Sequence, residues 1–117
     1  MDKYVNWVNE IKIQNTIKSL EDNNMKGYFA NDKNELIKII DTLTNEGDTV
    51  SCGGSMTLFE TGVIDYLRSG RFNFLDRYEE NLTKEDLKKL YRKTFSADVF
   101  FTSTNAITEN GELYNVD

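Results

Sequence analysis

The chain contains no histidine, no proline and a single cysteine, Cys52, in 117 residues. Without imidazole there is no serine or cysteine triad of the usual kind, no histidine metal ligand and no histidine proton shuttle. One cysteine can hold neither an Fe–S cluster nor a structural zinc, and it cannot close an internal disulfide. Basic residues are outnumbered: 14 Lys+Arg against 20 Asp+Glu give a net charge of −6. That balance argues against non-specific nucleic-acid binding, which needs clustered Lys and Arg. The longest apolar run is Val99-Phe100-Phe101, whereas a membrane-spanning helix needs about 20 such residues. The opening residues Met1-Asp2-Lys3-Tyr4 carry no apolar stretch of the signal-peptide kind. With a free thiol, the expectation is a reducing cytoplasm, no metal and no cofactor in this chain.

What remains for chemistry is Asp, Glu, Lys, Tyr, Ser, Thr and Cys52. Hydrophobic residues make up 38% and charged residues 29%, a polar but globular composition. The length fits one domain over residues 1–117.

Apolar periodicity orders the elements. Val5, Trp7, Val8, Ile11, Ile17 and Leu20 predict an amphipathic helix over about Asp2–Asn24. Lys26–Ala30 reads as a short strand. Asp32-x-x-Glu35 is a capping box opening a helix that buries Leu36, Ile37, Ile40 and Leu43, with Gly47 able to close it. Thr49–Cys52 is a strand, followed by Gly53-Gly54-Ser55 and a third helix over about Thr57–Ser69. Thr57-x-x-Glu60 could cap that helix, and Gly70 stops it. Phe72–Leu75 is a strand. Thr83-x-x-Asp86 starts a fourth helix with Leu87, Leu90, Tyr91 and Phe95 on one face, and Glu85 can pair with Lys89. Ala97–Ser103 is a strand, and Asn110-Gly111 between short runs signals a tight hairpin. Helices alternating with strands imply an α/β fold, a Rossmann-like parallel sheet with helices on both faces.

Ligands of such sheets gather at the carboxyl ends of strands, and two loops qualify. In Cys52-Gly53-Gly54-Ser55-Met56-Thr57 the glycines permit positive φ and close approach, and Ser55 and Thr57 add hydroxyls. The pattern suits a carboxylate or phosphate; it equally describes a tight turn with a helix cap. Thr102–Thr108 is rich in hydroxyl and amide side chains that could bond a polar ligand or merely satisfy turn backbone. Cys52 can be a nucleophile at a helix start or a small apolar filler, the commoner role. Glu60 can be an acid/base group or a capping residue.

Gly53-Gly54-Ser55-Met56-Thr57-Leu58-Phe59-Glu60-Thr61-Gly62, followed by Ala97-Asp98-Val99-Phe100-Phe101-Thr102-Ser103-Thr104-Asn105-Ala106-Ile107-Thr108, resembles the lactate-utilisation (LUD) domain family. There the first pattern is Gly-Ser-x-Thr-Leu-x-Glu-x-Gly, and the second continues Asn-Ala-Ile-Thr-x-x-Gly-x-Leu-x-Asn-x-Asp, matched by Asn105 through Asp117. The resemblance implies a bacterial domain with a fold similar to the ribose-phosphate isomerase, glucosamine-phosphate deaminase and CoA-transferase superfamily. It implies a link to oxidation of L-lactate to pyruvate with Fe–S partner proteins. The ligand-binding candidates it gathers are Gly53, Gly54, Ser55, Thr57, Glu60, Thr104 and Asn105, with a small anionic metabolite as ligand. Family domains continue beyond this point into a Gly-x-Gly-Asn-Arg segment, so the expectation is an N-terminal portion with an open sheet edge and a dimer or swapped oligomer. The binding Arg would then lie in the missing part.

Two other readings stand beside this one. A sugar-phosphate isomerase-like enzyme would use Cys52, with Asn105 where related enzymes have an Asp; Asn cannot serve as general acid or base. The second is a structural or interaction module that binds no ligand.

Overall fold

The structure, a computed structural model, describes residues 2–115. Two compact units emerge, one from the segments up to Asn31 and from Thr104 onward, the other from Asp32–Ser103.

The Asp32–Ser103 unit is a mixed α/β arrangement around a three-stranded parallel sheet. Its elements are α2 (Lys33–Leu43), β1 (Thr49–Cys52), α3 (Met56–Glu60), α4 (Val63–Leu67), β2 (Asn73–Phe74), α5 (Lys84–Thr94) and β3 (Val99–Phe101). The strand order is β2-β1-β3, with Val50 opposite Phe74 on one side and Val99 on the other. Because β1 is central, both of its side-chain faces are covered. Val50 and Cys52 point to one face and join Ile40, Leu58, Val63, Ile64 and Leu67 in the buried core. Ser51 points to the other face, where its hydroxyl lies 2.8 Å from that of Thr94 on α5.

Several elements are shorter than the periodicity predicts. Gly62 at φ +79° breaks the expected third helix into α3 and α4, since a left-handed residue cannot continue a right-handed helix. Thr57 is not its cap: the Ser55 hydroxyl accepts from the Leu58 N–H, and Thr57 lies inside the first turn. Thr44 ends α2, so Gly47 belongs to the following turn. At Asp32 the expected cap is present, its carboxylate accepting from the Glu35 N–H at 2.8 Å, and at Thr83 the reciprocal capping box with Asp86 is formed. On α5, however, Phe95 is 94% exposed and Tyr91 46%, so neither belongs to the core. Glu85 meets Lys88 at 3.9 Å and not Lys89. The carboxylate of Asp98 is no idle surface group, because it accepts from the Thr49 N–H at 2.8 Å and ties the start of β1 to that of β3.

The other unit contains α1 (Asp2–Asp22) and the antiparallel pair β4 (Ala106–Ile107) and β5 (Leu113–Tyr114). Val5, Trp7 and Ile11 are exposed, and the covered stripe of α1 runs through Ile13, Ile17 and Leu20. Lys26–Ala30 is not a strand; a Cβ at Gly27 would meet Ile17 at 3.1 Å, so the segment is pressed against α1. The hairpin is present, but its turn is not a two-residue Asn-Gly one. The Gly111 N–H donates to the Thr108 carbonyl at 3.0 Å, and Gly111 alone in the turn has positive φ, +80°. That is the geometry of a turn closed by a bulge glycine. Val116 and Asp117, the end of the matched segment, lie outside the described residues.

Candidate functional site

The sheet order itself opens a crevice. The loop leaving β1 turns toward α3 and α4 on one face, whereas the loop leaving β2 runs to α5 on the other. Where neighbouring strand-end loops diverge in this way, ligands of open α/β sheets gather at the carboxyl edge. Gly53, Gly54 and Ser55 form one lip, and Asp76, Arg77 and Tyr78 form the opposite one.

The first lip is anchored by hydrogen bonds. The Gly53 N–H extends the β1–β3 ladder by donating to the Phe101 carbonyl at 2.9 Å. The Ser55 N–H donates to the Tyr78 hydroxyl at 3.0 Å. The Ser55 hydroxyl lies 2.7 Å from that of Ser103, in addition to capping α3. Neither Gly53 nor Gly54 has positive φ, contrary to the use expected of them. Their service is close approach: a Cβ on Gly54 would sit 3.5 Å from Arg77 Nη1, and one on Gly53 would sit 3.5 Å from Phe100 Cζ.

The second lip is set by Asp76. Its carboxylate accepts from Arg68 Nε at 2.7 Å and from the Tyr78 N–H at 2.9 Å. This leaves Arg77 apart. Its guanidinium carbon lies 5.6 Å from the Tyr78 ring centre and 5.7 Å from that of Tyr91, within cation–π range of both. No described carboxylate lies within ion-pair distance of it. Its Nη2 donates to the Tyr91 hydroxyl at 3.4 Å, a neutral partner, and a half-buried arginine with no described carboxylate beside it can accept an anion.

Beside it opens a cavity of about 420 Å³ whose lining includes Cys52, Gly53, Arg77, Tyr91 and Phe100. Cys52 is 4% exposed. Burial pushes its thiol pKa up, outweighing the opposing pull of Arg77, so the thiol stays protonated and acts as apolar floor. This fits the filler role and not that of a nucleophile.

Thr57 and Glu60 lie exposed along α3. Thr104 and Asn105 belong to the other unit, where they brace the hairpin. The Thr104 hydroxyl donates to the Tyr114 carbonyl at 2.9 Å, and the Asn105 N–H donates to the same carbonyl at 3.1 Å. That unit also carries a cleft of about 550 Å³ lined mainly by α1 side chains, Tyr28, Phe29 and Ile107.

Arg77 was not legible as a site residue, since no motif contains it. The signal lay in position: it follows a strand, and the strand-end rule that singled out two loops applies equally to this third. Among the described residues, no group of three or more His, Cys, Asp or Glu could hold a metal ion. No described helix is long and apolar enough to cross a membrane.

The structure is that of a mixed α/β domain with a three-stranded parallel sheet, with Arg77 in the loop that follows β2. The chain matches the LUD domain family over residues 13–117 and belongs to it. A function related to lactate utilisation in general follows from that membership. No curated protein and no solved structure shows a significant match to the chain.

Proposed function

We propose that the crevice binds a small anionic metabolite, a carboxylate of the lactate and pyruvate kind, with Arg77 as its charge partner. The observation that carries this reading is the Arg77 guanidinium, with no described carboxylate partner and 3.5 Å from the Cβ position that Gly54 leaves vacant. A guanidinium fork matches a carboxylate with two parallel hydrogen bonds. The glycine backbone lets that carboxylate come close, and Ser55, held by Tyr78 and Ser103, keeps the loop in place for it. Thr57 and Glu60, exposed on α3 of the same unit, are the further candidates for contact with the rest of the ligand; Thr104 and Asn105 belong to the other unit and are not part of this proposal.

Within lactate oxidation the step from L-lactate to pyruvate releases two electrons and two protons. Those electrons pass, in this reading, to Fe–S partner proteins, as the family resemblance implies. In this reading the chain works in a bacterial cytoplasm, has a CoA-transferase-like fold and associates as a dimer or swapped oligomer.

One observation favours a module without a ligand: the Ser55 donor groups and hydroxyl are already engaged within the protein. An isomerase reading finds no such support, because burial keeps the Cys52 thiol protonated. Titration calorimetry with L-lactate, pyruvate, inorganic phosphate and a sugar phosphate separates these. Saturable heat with a carboxylate, lost in Arg77→Met while the fold persists, is the expected result. Absence of binding by every anion, with Arg77→Met changing stability alone, refutes the proposal in favour of the module.

A further inference from the structure

The size and lining of the crevice say more about its ligand than its charge does. We infer that the site prefers a carboxylate carried on an aromatic or similarly bulky apolar body over a bare three-carbon acid. This rests on the proposed role of Arg77 and deepens it.

Three observations converge. A cavity of about 420 Å³ falls in the range of roughly 300–1,000 Å³ typical of sites for ligands well above metabolite-fragment size; the few heavy atoms of lactate would leave most of it to water. Next, the two adjacent glycines open onto different chemistries. Gly54 faces the Arg77 guanidinium at 3.5 Å from the missing Cβ, and Gly53 faces the Thr102 hydroxyl at 3.4 Å and the edge of the Phe100 ring at 3.5 Å. The cavity beside the glycine pair is lined by Arg77 together with Tyr91, Phe95 and Phe100, so a ligand in it meets a cation and aromatic rings. Finally, the apolar end is left open to solvent, with Phe100 53% exposed beside Tyr91 and Phe95, while the buried thiol of Cys52 supplies an apolar floor. Large rings exposed side by side at a cavity mouth mark a binding surface, and rings packed edge-on or offset against a ligand ring add to simple area burial.

The test compares acids of equal charge that differ only in the ring. Calorimetry of the full chain is run with pyruvate against phenylpyruvate and with L-lactate against L-3-phenyllactate. The phenyl acids are expected to bind at least about tenfold tighter, as burial of one ring face predicts. Phe100→Ala is expected to cut that ratio to about threefold or less. Phe100→Leu, which keeps apolar volume without a flat face and guards against misfolding, gives an intermediate ratio. Arg77→Met removes binding of both kinds of acid. Equal affinities for the two kinds of acid overturn the inference and leave the carboxylate reading standing; no binding by either removes both. A phenyl advantage that survives Phe100→Ala also overturns it. So does sedimentation showing a dimer that Phe100→Ala dissociates and the phenyl acids leave intact, because the rings would then be covered by a second copy.

Discussion

Tyr78→Phe tests whether the two strand-end loops are tied to each other, because it removes one oxygen and little else. The Tyr78 hydroxyl accepts from the Ser55 N–H at 3.0 Å. Its own donation to the Gly53 carbonyl, at 3.5 Å, is at the limit of a useful bond. The ring's edge-to-face packing on Phe59, with centres 4.6 Å apart, survives in phenylalanine. The cost is therefore that of leaving the Ser55 N–H without its partner. A buried orphan donor costs about 1–3 kcal/mol; Ser55 is half-buried, and water recovers part, so about 1–2 kcal/mol is expected. Chemical denaturation followed by circular dichroism reads this as a lowered midpoint with unchanged slope. In a thermal scan each kcal/mol amounts to about 4–8 °C. Hydrogen exchange supplies the local readout, since the Ser55 amide should exchange roughly 5–30-fold faster for 1–2 kcal/mol. A loss under about 0.3 kcal/mol, with Ser55 exchange unchanged, would show that the two lips are not tied through this bond.

Ile64 is fully buried, and Ile64→Ala should cost about 2–5 kcal/mol in denaturant titrations while Ile64→Val costs about 0.5–1.5; a loss below 1 for alanine would contradict the assigned core. At Gly111 an added Cβ would lie 2.9 Å from Asn23 Nδ2 and 3.1 Å from the Ser19 backbone, while at Gly62 it meets nothing within 4 Å. Both have positive φ, so Gly62→Ala carries about 1–2 kcal/mol of backbone cost and Gly111→Ala should exceed it; the reverse order refutes the packing of the hairpin. Burial raises the Cys52 thiol above its ordinary 9.0, so the unfolded chain gives up this proton first. Stability is then untouched by this group below pH 9 and falls as pH rises above it. Cys52→Ala should flatten that decline, and an unchanged decline argues that the thiol is not buried.

The legible and illegible parts of the fold divide along one physical line. Signals local in sequence were sufficient: the Asp32 and Thr83 caps, the Val50 strand and the Gly111 turn all follow from neighbouring residues. Signals that depend on tertiary partners misled. Phe95 has helical spacing with Leu87 and Tyr91 but sits at the C-cap of α5, where its ring is left exposed. Lys26–Ala30 has strand-like composition but no strand beside it. The third helix looked continuous because glycine in a helical pattern costs only about 1 kcal/mol, which does not announce whether the chain will turn there. The glycine loop stands out as a candidate from its place after a strand. Its charge does not, because Arg77 reaches it from a loop after a different strand.

The most direct test of the central claim is side-chain NMR of the arginines during a titration with pyruvate. The Arg77 Nε–Hε signal, assigned by its disappearance in Arg77→Lys, should move and saturate together with the Gly54 amide, while Arg68, already paired with Asp76, stays in place. An Arg77 signal that remains fixed at saturating pyruvate, or that moves no more than that of Arg68, would contradict the account.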